Sequence, residues 1–137
     1  MWLVLALVVM LYRRRLLPLV LVAGADLAAD AFSAGLKWAT GVDRPHVAQP
    51  LVHVPGDGSF PSGHTATSFA CATVLAAAVP RAAPALYLLA VAIGFSRVYV
   101  GAHWPLDVAG GAVLGIATAL LLLAVVRRRS GAPLRSG

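Results

Sequence analysis

Apolar residues in this chain gather into long runs separated by short polar or basic breaks. Four runs are long enough, or nearly so, to cross roughly 30 Å of hydrocarbon as helices rising about 1.5 Å per residue. They extend from about Leu16 to Trp38, His64 to Val79, Ala82 to Val100 and Pro105 to Val126. A fifth stretch, Trp2 to Tyr12, is too short to cross comfortably and reads as a remnant of a span or an interfacial segment. It is a poor signal peptide, because its positive charges follow the apolar run and no small-residue cleavage site stands out. The one extended polar stretch, Thr40 to Pro61, holds Pro45, Pro50, Pro55 and Pro61 and the run Pro55-Gly56-Asp57-Gly58, which mark a loop. The pattern therefore predicts an all-α integral-membrane bundle of about four full spans plus a short N-terminal apolar segment. One domain should cover residues 1–129, with a disordered basic tail over 130–137.

Composition agrees with this solvent. Of 137 residues, 60% are hydrophobic and 12% charged, about half the charged share of a soluble domain. The single cysteine, Cys71, excludes an intramolecular disulfide and carries no information about compartment.

The net charge is +6, from 11 Lys and Arg against 5 Asp and Glu. Such an excess can signal nucleic acid, but here the cations flank apolar runs, as membrane orientation requires. With four spans, Arg13, Arg14, Arg15, Arg81, Arg127, Arg128, Arg129 and Arg135 share one side, expected to be cytoplasmic. Lys37, Arg44 and Arg97 fall on the other side, where orientation gives them no purpose.

Three patches meet on that second side. The first runs from Lys37 to Arg44-Pro45 at the end of a helix. The second, Pro61-Ser62-Gly63-His64, opens one. The third, from Ser96-Arg97 through His103 to Asp107, joins two helices. Together they suit a phosphoryl group. Arginine's planar fork pairs with phosphate oxygens, and Ser62 and Gly63 lie where a helix N-terminus offers free N–H groups to an anion. His103 and Asp107 are four apart, on one face of a helix start. A carboxylate taking Nδ1–H leaves Nε2 free to attack phosphorus, and His64 remains to protonate the leaving oxygen. His103 with Asp107 would also suit half a metal site, but three cations nearby would repel a metal ion and no carboxylate-rich shell exists.

The patterns KxxxxxxRP, PSGH and SRxxxxxHxxxD, complete and in this order over residues 37 to 107, resemble the signature of the type-two phosphatidic acid phosphatase superfamily. The resemblance implies that Lys37, Arg44, Ser62, Gly63 and Arg97 hold the phosphate. His64 would be the acid, His103 would become a phosphohistidine and Asp107 would orient it. It implies no metal and no cofactor. Membrane members act on lipid phosphates, while a soluble branch binds vanadate and oxidises halides, a chemistry that this apolar chain disfavours. Membrane members usually have six spans. The truncated first span here leaves open how a lipid tail is sheltered and makes a homodimer more plausible.

Other residues carry less. Asp26 and Asp30 lie inside the first long span, where charge usually faces the bundle interior. They read as a hydrogen-bonded structural pair before a functional one. Loop solvation accounts for His46 and His53, interfacial placement for Trp38 and Trp104, and helix packing for Cys71.

The expected activity is hydrolysis of a lipid phosphate or diphosphate outside a bacterial-type inner membrane, with a prenyl-linked substrate ranked first. Phosphatidate, phosphatidylglycerol phosphate and transfer to an acceptor other than water are the alternatives. The partners implied are the lipid phosphate and the surrounding membrane lipids, with no nucleic acid.

Overall fold

The computed structural model describes residues 1–45 and 58–129. The expected positions of His46, His53 and most of the polar loop, and of the tail over 130–137, lie outside the described residues. All regular structure among the described residues is helical. Helix α1 spans Trp2–Arg13, α2 Leu17–Thr40, α3 Gly63–Ala78, α4 Ala83–Tyr99 and α5 Pro105–Arg129, with a single 3₁₀ turn, Pro80–Ala82, leading into α4.

The boundaries follow local chemistry. Pro18 stands in the first turn of α2, where its missing N–H and fixed φ cost nothing. At the other end Gly41 adopts φ 57°, and its N–H closes on the Lys37 carbonyl at 3.1 Å, a left-handed cap that glycine takes without Cβ strain. Helix α5 begins on Pro105, and the Asp107 carboxylate reaches back to the Trp104 N–H at 2.8 Å, satisfying a donor that the helix start leaves open.

Helix α3 is the centre of the bundle and packs on α1, α2, α4 and α5. It is buried on nearly every side, from Thr65 and Ala66 through Cys71 to Leu75, so its small residues face protein rather than lipid. Against it α2 presents Val22, Ala25, Ala29 and Ser33, one helical stripe. Helix α5 presents Gly111 and Gly115. A Cβ at Gly111 would strike the Ser62 carbonyl, and one at Gly115 the Ala66 carbonyl. Glycine spaced by four thus lets two helix backbones approach, the usual device where lipid supplies no hydrophobic drive.

Three helical stretches are long and apolar enough to cross a membrane: Leu17–Thr40, Pro80–Tyr99 and Pro105–Arg129. The expected span at His64 to Val79 is α3, whose 16 residues reach only about 24 Å. A helix sheathed by others need not match the hydrocarbon thickness. The short α1 lies alongside α3. Its Trp2 indole N–H donates to Ser68 Oγ at 3.2 Å, and its Arg13 guanidinium donates to the Ala78 carbonyl at 2.8 Å. Each helix from α2 to α5 reverses the one before. Lys37, Arg44 and Arg97 therefore lie at the end where α3 and α5 begin, and Arg13, Arg81 and Arg127–Arg129 lie at the other.

Candidate active site

The site is built on two stitched turns. After α4, the N–H groups of Ala102 and His103 both donate to the Arg97 carbonyl, at 3.0 and 3.2 Å. Gly101, at φ 73°, makes the reversal possible. This turn delivers His103, 4% exposed, to the bundle's end. Before α3, the Ser59 N–H donates to the Val42 carbonyl at 2.7 Å and the Ser62 N–H to the Asp107 carbonyl at 2.9 Å. The loop of the second patch is thereby fastened both to the first patch and to the start of α5.

Asp107 is the hub. Buried at 2% exposure, its Oδ2 accepts the Ser59 hydroxyl and the Trp104 N–H, and it lies 3.5 Å from His103 Nδ1. No group among the described residues completes a hydrogen bond to that Nδ1. On the other side of the ring, Arg44 Nη1 lies 3.4 Å from His103 Nε2 and donates to the Ala102 carbonyl at 3.0 Å. A guanidinium has no acceptor. The contact therefore requires a lone pair on Nε2, which places the ring proton on Nδ1, towards Asp107. Burial, then the charges of Arg44 and Lys37, push the His103 pKa below its ordinary value against the pull of Asp107 and of the Ser59 backbone, so the imidazole is neutral near pH 7.

His64 opens α3 on the same face, within the fields of Arg97, Lys37, Asp30 and Arg44. All three expected cations are thus gathered, each half-buried. Gly63 lies against Ser33: a Cβ there would sit 3.2 Å from Ser33 Oγ and 3.9 Å from an Asp30 carboxylate oxygen. Ser62 is fully buried. Its amide is committed to Asp107 and its hydroxyl accepts that of Thr65 at 3.0 Å. The amides that precede the first intrahelical bond, from Ala66 to Ser62, are those of Gly63, His64 and Thr65.

Asp26 and Asp30 do not form one unit. Asp26 accepts the Cys71 thiol at 3.7 Å, whereas Asp30 faces the start of α3. Ser59, which holds Asp107, carries no motif signal of its own; its place just before Pro61-Ser62-Gly63-His64 was the only available hint. Among the described residues no three His, Cys, Asp or Glu side chains converge. The groups that do converge are cations and donors, a set suited to an anion.

The sequence pattern of the PAP2 superfamily matches residues 15–130. The chain belongs to that superfamily. LpxE of Aquifex aeolicus superposes with a TM-score of 0.71 at 32% identity, covering 88% of this chain and 76% of that one. A transmembrane PAP2-type phosphatidylglycerolphosphate phosphatase of Bacillus subtilis superposes with a TM-score of 0.64 at 28% identity, covering 98% and 70%. An undecaprenyl-diphosphatase of Sulfolobus acidocaldarius is 45% identical over 62 residues, 44% of this chain and 30% of that protein. The chain spans half or less of the length of the curated relatives it matches. The all-helical bundle and its helices long enough to cross a membrane accord with the transmembrane Bacillus structure.

Proposed function

We propose that this PAP2 protein hydrolyses a lipid phosphate or diphosphate through a phosphohistidine on His103. One observation carries the reading: Arg44 and Asp107 address opposite nitrogens of a buried imidazole. That tautomer presents the Nε2 lone pair as nucleophile, and a bound phosphoryl group would draw Arg44 from Nε2 onto its own oxygens.

In the first half-reaction Nε2 attacks the terminal phosphorus, and its bond breaks to the oxygen that stays with the lipid, which in a diphosphate is the bridging oxygen. The negative charge of the bound phosphoryl group favours the imidazolium form of His64, which gives that oxygen its proton. Asp107 supports the positive charge that grows on the ring, closing the 3.5 Å gap to Nδ1; such contacts tighten in reacting complexes. In the second half-reaction water attacks phosphorus, His64 takes its proton, and the N–P bond breaks to release inorganic phosphate. Lys37, Arg44, Arg97 and the amides at the start of α3 stabilise the charge on the phosphoryl oxygens throughout. The Ser62 amide is held by the Asp107 carbonyl, but its hydroxyl accepts from Thr65 and keeps its own hydrogen to donate to a phosphoryl oxygen.

A prenyl diphosphate or prenyl-linked phosphate ranks first as substrate, supported by the undecaprenyl-diphosphatase likeness; phosphatidylglycerol phosphate is the alternative, supported by the Bacillus structure. The site would face outward from a bacterial-type inner membrane, since the denser arginine clusters lie at the opposite end.

The test uses the full chain in detergent with a prenyl diphosphate. Inorganic phosphate should be released with EDTA present, and His103→Ala should lower turnover by at least about a thousandfold. Radiolabelled phosphate should be trapped on the unaltered protein as an acid-labile adduct. Undiminished turnover by the variant would overturn the mechanism.

A further inference from the structure

An apolar groove of about 830 Å³ runs between α2 and α5, its wall including Leu36, Val42, Phe60, Trp104, Val113 and Ala117. Along α5 it extends from Leu106 to Ala117, roughly 17 Å at the helical rise. At one end its lining reaches Trp104 and Asp107, the residue that follows His103 and the residue 3.5 Å from its ring. An occupant lying along α5 would have one end beside Asp107, the residue that contacts His103.

The groove is built rather than left over. Helix α5 lines it with the small residues Ala109, Gly110 and Ala117, so volume opens where larger side chains would fill it. Phe60 roofs it: its ring packs so closely on Gly110 that any Cβ there would collide. Trp104 is fixed across the mouth by its indole N–H, which donates to the Asp43 carbonyl at 3.1 Å. The two aromatic walls thus come from the same motif turns that carry the catalytic groups.

We propose that this groove takes one hydrocarbon chain of the substrate, in line with its phosphate, and that Val113 and Ala117 set how well a long chain is used. Two features favour the substrate's own tail over a second copy of the protein. The groove's lining includes Asp107, which lies 3.5 Å from His103 Nδ1, and its length lies along α5, as a lipid chain does. The assignment rests on the lipid-phosphatase reading and goes beyond it in placing the tail.

The experiment compares Val113→Trp and Ala117→Trp with the unaltered chain in detergent, on a long-chain prenyl diphosphate and on para-nitrophenyl phosphate. Val113 is 69% exposed, so the added ring fills the groove without entering the core. Both variants should lose at least about tenfold in kcat/KM on the prenyl substrate and keep the small ester within about twofold, a ratio set by apolar contacts in a binding pocket. Leu88→Trp, on exposed α4 surface, should leave both substrates unchanged. Equal losses on both substrates, or none on either, would overturn the groove assignment alone, as would a change in oligomeric state without lipid-selective loss. Failure of the unaltered protein to release phosphate from either compound would overturn the functional reading, and the groove assignment with it.

Discussion

His103 has a neighbour for each ring nitrogen and a burial that excludes bulk water. Burial and the cations Arg44 and Lys37 disfavour its protonation, and Asp107 only partly offsets them. The proposed nucleophile is the neutral form. The acidic limb of kcat/KM against pH should then have its midpoint below the ordinary histidine value of about 6.5. Arg44→Gln removes a charge that lowers this pKa, so the limb of its residual activity should move to higher pH. Stability follows the same sign. As pH falls below about 6.5 the unfolded chain takes up this proton before the folded one does, so the contribution is present above that value and lost on acidification. A pH–rate profile of both proteins checks the kinetic part, and a limb that stays in place in the variant would contradict it.

At the scale of the helices, the decisive contact is α5 on α3. Gly111 and Gly115 have no room for a Cβ, since the Ser62 and Ala66 carbonyls stand in the way. The same approach brings the start of α5 against the loop before α3, where Ser62 N–H and Ser59 Oγ reach Asp107. Packing and the candidate site thus share one interface. Gly115→Leu should separate the helices and destabilise the fold by about 3 kcal/mol, the upper range for overpacking, measured as a lower melting temperature in detergent. Activity should fall with it even below the new transition, because the Ser62–Asp107 contact opens. Hydroxyls inside the bundle are also satisfied locally. Thr73 donates to the Phe69 carbonyl at 2.7 Å and Thr118 to that of Leu114 at 2.8 Å, as helices in lipid require.

The whole molecule is asymmetric in charge. Lys37, Arg44 and Arg97 gather at the site, while Arg13, Arg81 and Arg127–Arg129 mark the far end. Orientation by these clusters predicts that a cysteine at Asp43, introduced into a Cys71→Ser background, is labelled in intact cells by a membrane-impermeant maleimide. A cysteine replacing Arg129 should be labelled only after the cells are opened, and the reverse pattern would invert the proposed topology.

At this scale the division between sequence and tertiary structure is plain. The run lengths and charge clusters determined an all-helical membrane chain whose three motif patches share one end, because the number of apolar runs and their alternation follow from hydropathy alone. Lys37, Arg44, His64, Arg97, His103 and Asp107 were legible for the same reason, each lying at a helix end that alternation brings to one face. Tertiary structure decided the rest. It made α3 a sheathed centre shorter than a full span, because neighbouring helices rather than lipid surround it. It turned Ser62 towards Asp107 and Thr65, recruited Ser59 and separated Asp26 from Asp30, because such choices depend on which backbone lies across the interface. The groove between α2 and α5 belongs with these, since its shape is the space that two helices and two aromatic rings leave between them.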